Sequence, residues 1–412
     1  MLSSIPEVPP NWIKVRFDEI ATNVTDRVEK PNESDLEHYI GLEHLDTDQI
    51  RIKRFGSTED VKATKFLCKK GDIIFGKRNS YLRKVAVTDR DAVVSAHSMV
   101  IRPKGDLIVP DFLPCFMQSN VFWKTAHAIS EGSMSPTIKW KTLAKQEFWI
   151  PSAEEQKKIS EVLWAIEDNI DKNEHLLKSF DGTKKCLLNE LLNKGIGHNN
   201  FKETEFGAIP ESWDFIKLKD ILKINKSSID PQQYSDELFL YYTIPGYDVE
   251  KTIYLEKGLY IKSLKYVIKK DSILLSKLNP RINRVWKVMM GRENRQICST
   301  EFIVYEPEKS IDINYLYYLF QSSRLQEEFI RLQTGTSNSH KRVSPKETLK
   351  ISVPLPQLDE QKNIANILIE CDENLKYHRK NILHLTNLKK KLTNEFLSGK
   401  LRIPEGVLEN VQ

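Results

Sequence analysis

The chain has 412 residues, 40% of them hydrophobic, which allows more than one buried core. Its 62 basic and 57 acidic side chains leave a formal net charge of only +5, so an anionic partner is permitted but not required. Five scattered cysteines disfavour a disulfide framework and make no zinc spacing: Cys68, Cys115, Cys186, Cys298 and Cys371. The sequence shows no secretory signal and no apolar run of membrane-spanning length. We therefore expect a cytoplasmic protein without a membrane partner.

The N-terminal part of the sequence recurs in the C-terminal part. Residues Ile209 to Leu222 repeat residues Val8 to Ala21, and the similarity continues at an offset of about 200 to 205 residues. Further matches are Lys69 to Asn79 with Lys269 to Asn279, Asp111 to Ser119 with Asn314 to Ser322, and EEQKKI after Pro151 with DEQKNI after Pro356. The period is far too long for a solenoid. Duplication of a domain with an attached helix explains it.

Residues 1–151 and 195–357 mix short apolar runs with turn residues, as globular domains do. Predicted strands are 72–75, 85–87, 93–95, 99–101, 273–275 and 302–305. Helices are predicted over 111–128 and 314–333. Strands and helices do not alternate regularly, so the sequence favours two similar α+β domains over a doubly wound sheet.

Two long amphipathic helices are predicted at residues 152–194 and 358–398, followed by a C-terminal tail at 399–412. Apolar residues recur in each at steps of three and four, nearly in heptads, and neither segment contains an internal proline. Ser152 and Glu155 have the spacing of a capping box, while Gly195 and Gly399 lie where each helix should stop. The start of the first helix and the ends of both helices are thus indicated.

A helix of about 40 residues is about 60 Å long, longer than a flanking domain is wide. Its apolar stripe needs cover, and the other helix is the nearest candidate. We predict that the two pair as an antiparallel coiled coil, with the second domain between them in sequence. Asn173 and His378 are polar seam positions that could fix the register. The alternative is that each helix packs on its own domain.

These features together resemble the specificity subunit of a type I restriction-modification system. The duplicated order of domain and helix, the IPESW motif, and the helix openings IPSAEEQKKI and LPQLDEQKNI carry the resemblance. It implies two target recognition domains that each read one half of a split DNA site, with helices that hold them apart. It also implies methyltransferase and restriction subunits as partners, which would hold S-adenosylmethionine, ATP and Mg²⁺.

Matching polar and basic loops in the two domains are the candidate contacts to double-stranded DNA. The first pair spans residues 76–84 and 276–287. Cations in it could neutralise phosphates: Lys77, Arg78, Arg83, Lys84, Lys277, Arg281, Arg284 and Lys287. Asn79 and Asn279 could bind a base edge. The alternative is an ordinary solvated loop.

The second loop pair spans residues 131–141 and 334–346. Glycine and small hydroxyl residues there would let the backbone approach a phosphate closely. The candidate contacts are Ser133, Lys139, Thr336, Asn338, His340, Lys341 and Arg342. A plain flexible loop is again the alternative, and the bases that would be read cannot be derived from the sequence.

The sequence predicts no catalytic and no metal-binding residue. It lacks a phosphate-binding GxxxxGK loop, HExxH, paired CxxC, and the Asn-Pro-Pro or Asp-Pro-Pro motif followed by an aromatic that an amino-methyltransferase uses. Three hypotheses therefore stand: a noncatalytic DNA-recognition subunit, a self-contained nuclease or methyltransferase, and a coiled-coil scaffold without a nucleic-acid role. Salt-dependent DNA binding would distinguish the first from the third.

Partner subunits would meet the outer faces of the long helices. We predict that Leu187, Leu191, Leu388 and Leu392 lie either in the seam between the helices or at the boundary with a partner. Periodicity alone does not separate these two placements.

Overall fold

The computed structural model describes residues 8–308, 311–335 and 341–403 and divides into two compact units. The first unit contains the chain up to His175 together with the chain from Arg379 onward. The second contains Leu176–His378. Each unit thus holds one globular segment and a part of both long helices.

The globular part of the first unit contains a four-stranded sheet, a five-stranded sheet and a two-stranded ladder. A four-stranded antiparallel sheet has the order Ala21–Val24, Ser98–Pro103, Ile73–Gly76 and Val85–Val87. A five-stranded sheet has the order Arg27–Val28, Lys65–Cys68, Ala92–Val94, His38–Ile40 and Gly56–Ser57. The ladder pairs Ile13–Arg16 with Glu147–Ile150, just before the first long helix.

The second unit repeats this topology and adds two short ladders, which pair Phe201–Lys202 with Ile209–Pro210 and Gln333–Thr334 with Arg342–Val343. Its four-stranded sheet has the order Leu222–Asn225, Phe302–Pro307, Ser272–Ser276 and Val285–Val288. Its five-stranded sheet has the order Ser228–Ile229, Lys265–Ile268, Arg295–Ser299, Leu238–Tyr242 and Tyr254–Lys257. The ladder before the second long helix pairs Asp214–Lys217 with Ser352–Leu355. The fold is therefore α+β in both units, which confirms the prediction from the irregular order of strands and helices.

The six predicted strands are confirmed, with ends that move by at most two residues. The two predicted domain helices are wrong in one respect, because each is broken into two. The first becomes Phe112–Gln118 and Asn120–Ala128, and the second becomes Ile313–Leu319 and Ser323–Arg331.

A serine causes each break. Ser119 and Ser322 have extended backbones, and their hydroxyls accept hydrogen bonds from the amides of Phe122 at 3.2 Å and Leu325 at 3.3 Å. Each serine therefore begins a new helix by capping it. The shorter helices of the described chain are Phe17–Ile20, Trp140–Leu143, Ile244–Asp248 and Pro345–Thr348.

The two long helices run over Ala153–Lys194 and Leu358–Leu397, so both predictions are confirmed. Ser152 accepts a hydrogen bond from the Glu155 amide at 3.4 Å, but the Glu155 carboxylate binds Arg402 and so does not complete the capping box. Gly195 and Gly399 have φ of +66° and +72°, the left-handed backbone that ends a helix.

The repeated glutamine in the helix openings joins each long helix to its domain. Gln156 accepts from the Val109 amide at 2.8 Å and donates to the carbonyls of Leu107 and Pro151 at 2.9 Å. Gln361 accepts from the Asp312 amide at 2.8 Å and donates to Pro356 at 2.9 Å. Both side chains are buried, so the motif is explained by satisfied hydrogen bonds inside each unit.

Within the first unit the long helices run antiparallel. Glu167 contacts Lys389 at 2.7 Å, and Asn381 donates to the Asn173 side chain at 3.1 Å. Residue numbers therefore increase along one helix where they decrease along the other. Both members of the ion pair are buried, with side chains 3% and 9% exposed. A buried charge is stable only beside a matching partner, so this pair favours one register of the two helices.

The second unit shows the same direction of pairing. Lys184 contacts Asp372 at 2.5 Å, and the ring of His378 stacks on Phe180 with centroids 5.4 Å apart. The predicted seam positions Asn173 and His378 thus both lie between the helices. The ion pair here is more exposed, since the side chains are 18% and 37% accessible.

The two ion pairs predict different losses of stability. Lys389→Met leaves Glu167 buried without a partner and should lower the free energy of unfolding by about 3 to 5 kcal/mol. Lys184→Met should cost about 1 kcal/mol or less, because solvent can reach Asp372. Chemical denaturation measures both. The double change Glu167→Leu with Lys389→Met should recover most of the loss, and equal small losses at the two lysines would contradict the burial argument.

Candidate nucleic-acid interface

The first predicted loop joins the strands Ile73–Gly76 and Val85–Val87 of the first unit. A 3₁₀ turn, Ser80–Leu82, forms its tip and is flanked by Asn79 and Arg83, whose φ values are +56° and +51°. Left-handed backbone at a residue other than glycine is uncommon and needs support from its surroundings. The loop is therefore held in a defined conformation.

The second predicted loop of the first unit lies against the first. Arg78 forms a short antiparallel bridge with Thr137, and the Ile138 amide donates to the Lys77 carbonyl at 2.9 Å. The Ser80 amide donates to the Pro136 carbonyl at 3.3 Å. Backbone hydrogen bonds thus unite two loops that are about 50 residues apart in sequence.

The second unit brings its two predicted loops together in the same way. Leu278 forms a bridge with Arg342, the Asn279 amide donates to the Lys341 carbonyl at 2.8 Å, and the Val343 amide donates to the Lys277 carbonyl at 3.0 Å. Asn279 has φ of +49°, like Asn79. The loop pairing is therefore part of the duplicated fold.

A third segment joins each loop pair, and sequence reasoning did not assign it to the site. His97 accepts the Lys77 amide through its carbonyl at 3.2 Å, and its ring lies 3.5 Å from the Arg78 guanidinium. At the matching position, the Glu301 carbonyl accepts the Lys277 amide at 2.8 Å, and the carboxylate binds Arg342 at 3.1 and 3.2 Å. Ser95 and Ser299 lie two residues before His97 and Glu301, and this recurrence in the two copies could have indicated the segment from the sequence.

Several predicted contacts are exposed on these loops. Arg78, Ser133 and Lys139 are exposed in the first unit, and the Lys139 ammonium forms an ion pair with the Glu131 carboxylate at 2.6 Å. Arg281 and Arg342 are exposed in the second unit. Surface ion pairs such as Lys139 with Glu131 are weak, so these cations can exchange a carboxylate for a phosphate.

Four of the predicted cations are engaged inside the protein instead. Arg284 is buried and binds Asp248 at 2.7 and 2.8 Å, which lowers the pKa of that carboxyl through the hydrogen bonds. Lys287 donates to Asn314 at 2.6 Å. Arg83 and Lys84 donate to the backbone carbonyls of Gln118 and Leu42 at 2.8 and 2.6 Å. These four shape the loops, and we leave them out of the proposed DNA contacts.

Lys77 and Lys277 occupy equivalent half-buried positions. Desolvation by burial lowers the pKa of both ammonium groups. Lys77 also lies 5.9 Å from the centre of the Phe66 ring. A phosphate beside either lysine would restore part of the charge stabilisation that burial removes.

The remaining predicted contacts of the second loop pair are in the second unit. Lys341 is half-buried on the loop beside Asn279. Thr336, Asn338 and His340 lie outside the described residues.

The leucines predicted at the helix boundary pack within the chain. Leu191 is 9% exposed in the core of the second unit, with Leu187 half-buried against it. Leu392 packs against the core of the first unit, and Leu388 is half-buried. Contact of these residues with a partner subunit stays a prediction.

The described residues contain no group of three or more His, Cys, Asp or Glu side chains placed to hold a metal ion. All five cysteines are free, and burial raises the pKa of the Cys68 and Cys115 thiols to about 12. In the part of the chain that the structure describes, none of the helices combines the length and apolar character that crossing a membrane would require.

A duplicated α+β domain with a long helix after each copy defines a protein of two similar domains, in which basic loop pairs recur. Residues 10–179 and 210–387 match the family described as the type I restriction modification DNA specificity domain. These stretches make up most of the chain, so it belongs to this family and carries the domain twice. It is a specificity subunit of the type I restriction-modification class.

Known relatives and structures agree with this assignment. The chain is 23% identical over 410 residues to the type I restriction enzyme MjaVIII specificity subunit of Methanocaldococcus jannaschii, covering 96% of this chain and 94% of the relative. The fold resembles the type I restriction-modification S subunit from M. genitalium, with a TM-score of 0.58, 17% identity, and coverage of 96% and 98%. A chain from a structure concerned with complex assembly and conformational transition of the type I R-M system gives a TM-score of 0.56 at 16% identity, with coverage of 96% and 100%.

Arg78→Ala and Arg281→Ala should each weaken DNA binding and make its salt dependence shallower. Each change removes one exposed cation from a loop pair, so the slope of log affinity against log salt should fall by about one. A titration of binding against salt concentration measures this slope. Lys145→Ala and Lys219→Ala are matched controls, because these exposed lysines lie outside the loops. Equal effects in the controls would contradict the placement of the interface.

Arg284→Ala should destabilise the second unit without changing that salt slope. The change removes two charge-assisted hydrogen bonds of a buried side chain, worth about 2 kcal/mol of unfolding free energy. Denaturation and the salt titration together test the assignment. A shallower slope with unchanged stability would instead make Arg284 a phosphate contact.

Proposed function

We propose that the chain recognises a bipartite DNA target, with one specificity domain on each half-site. Residues 1–151 and 195–357 form the two recognition domains, and residues 152–194 and 358–398 form the spacer helices. Exposed cations of the loop pairs bind phosphates, and Asn79 and Asn279 reach base edges. The chain itself performs no chemistry on DNA.

The observation that carries this proposal is the repeated construction of the loops. In both units, the loop after the third strand of the four-stranded sheet pairs with a distant loop through backbone hydrogen bonds, beside a half-buried lysine. A fixed backbone with different side chains in the two copies suits two readers of different sequence. His97 and Glu301 are one such difference.

We further propose that the helices determine the distance between the half-sites. Each helix continues through both units, and the pairs Glu167–Lys389 and Lys184–Asp372 fix the register along the seam. Readers on one face of a duplex must be about one turn, or roughly 34 Å, apart. Two paired helices would fix the positions of the two domains before DNA binds, which reduces the entropy lost when the second half-site is bound.

Catalysis is assigned to partner subunits on the basis of family membership. Methyltransferase subunits would use S-adenosylmethionine, and a restriction subunit would use ATP and Mg²⁺. The outer helix faces, including the region of Leu187 and Leu388, are the proposed docking surfaces. The free, scattered cysteines agree with a cytoplasmic location.

A methylation assay tests the noncatalytic assignment. The purified chain with DNA and S-adenosylmethionine should transfer no methyl groups, and addition of the methyltransferase subunits should restore site-specific transfer. Methyl transfer by the chain alone would show a self-contained enzyme. Absence of DNA binding in the chain and in its complex would support the scaffold alternative.

Lengthening both helices tests the spacing. Insertion of one heptad after His175 and one after Arg379 adds about 10 Å, or about three base pairs, while the seam repeat is kept. Selection of bound duplexes from a pool with varied spacers should recover the same half-sites at a longer spacing. An unchanged spacing with altered affinity would contradict the role of the helices.

A further inference from the structure

In the first unit, one segment connects the DNA-facing loop to the long helices. We call residues 47–53 the linking segment. On the loop side, Thr47 donates to the Leu82 carbonyl at 2.8 Å, and the carboxylate of Asp48 lies 3.5 Å from the Arg83 guanidinium. The backbone of the segment also pairs with Val87, at 2.7 and 3.3 Å, on the strand that leaves the loop.

On the helix side, the same segment binds both helices of the unit. Arg51 binds Asp168 at 2.6 Å and also binds Asp171. Lys53 binds Asp171 at 2.9 Å and Glu174 at 2.5 Å. These acids belong to the first long helix, while Asp48 binds Lys390 of the second at 3.0 Å.

The ion pairs between the linking segment and the first long helix form a network and are not isolated surface pairs. The Arg51 guanidinium also lies 5.1 Å from the centre of the Trp164 ring. Asp171 is the shared partner, with a side chain only 19% exposed. Burial acts to raise the pKa of Asp171, but hydrogen bonds from Lys53 and Arg51 outweigh it and hold the pKa below its ordinary value. Shared, partly desolvated partners make such pairs stronger than single exposed ones.

The second unit keeps the loop side of this connection but not the helix side. Asp248 binds Arg284 and Tyr247 donates to the Asn283 carbonyl at 3.2 Å, which corresponds to the contacts of Asp48 and Thr47. Lys251, in the corresponding segment, instead donates to the Tyr317 hydroxyl at 2.7 Å.

The sequence of the second helix explains the difference. At the 205-residue offset, Lys376 and Arg379 replace the acids Asp171 and Glu174, whereas Glu373 keeps the acid of Asp168. Because Lys376 is a cation, it cannot take the part of Asp171 as the acid shared by two basic side chains. Among the described residues, an ion-pair network centred on one shared acid therefore occurs in the first copy and not in the second.

We propose that Arg51, Lys53 and Asp171 are positioning residues for recognition of the first half-site. This inference rests on the proposed bipartite function. The residues hold the loop at 76–84 in a fixed orientation to the helices, and they do not touch bases. Loss of the connection leaves the loop and its base contacts intact but loosens their placement along the DNA. The spacer length accepted by the protein should then become less strict.

Selection of duplexes tests the proposal with the full chain in complex with its methyltransferase subunits. The pool carries two randomised half-sites and a spacer of varied length. In Asp171→Asn, the recovered half-site bases should be unchanged, while spacers one base pair shorter or longer should gain about three- to tenfold in relative affinity. Glu161→Gln is the matched control, because this acid pairs only loosely, at 4.0 Å, with Lys157 of its own helix.

Arg51→Gln removes the same contact from the side of the linking segment, and it replaces Asp171→Asn as the test if that variant fails to fold. The two changes should give similar broadening and should add only in part in the double variant, because both remove the Arg51–Asp171 pair while each also removes one pair of its own. Unaltered spacer preference in both folded variants would overturn the inference. Altered half-site bases would also overturn it, since Arg51 or Asp171 would then take part in base reading. A wild-type complex without a preferred spacer would instead overturn the proposed bipartite function.

Discussion

The need to cover the apolar face of each long helix is the constraint on which the rest of the structure depends. A helix of 42 residues and one of 40 residues cannot bury such a face by themselves. Within each unit the two helices cover one another, and one buried or half-buried ion pair fixes their register. Because Lys184 and Lys389 match at the 205-residue offset, as do Glu167 and Asp372, duplication supplies both pairs at once.

Duplication also explains how one backbone can serve two specificities. The paired loops depend on backbone hydrogen bonds and on left-handed asparagines at 79 and 279, so their framework does not rely on the exposed side chains. Those side chains can vary while the framework stays. His97 and Glu301 illustrate this freedom, since each occupies the same backbone position with different chemistry. The engaged cations Arg83 and Arg284 belong to the framework instead.

The sequence predicts well those features that are regular over many residues or that recur in both copies. The long helices repeat an apolar pattern over about forty residues, and the basic loops appear twice. Two kinds of feature are harder to predict: a local cap that competes with helix propagation, and the burial of a side chain by a residue far away in the sequence. Ser119 and Ser322 break helices that periodicity would continue, because a local cap competes with helix propagation. Arg284 is buried and binds Asp248, 36 residues earlier, and no local sequence pattern predicts that contact.

The most direct test of the central claim is a map of methylated sequences in host DNA with and without a functional copy of this chain. The account predicts a motif that disappears with the chain and consists of two short specified blocks separated by a fixed number of unspecified bases. A single uninterrupted motif, or a motif that persists without the chain, would contradict it.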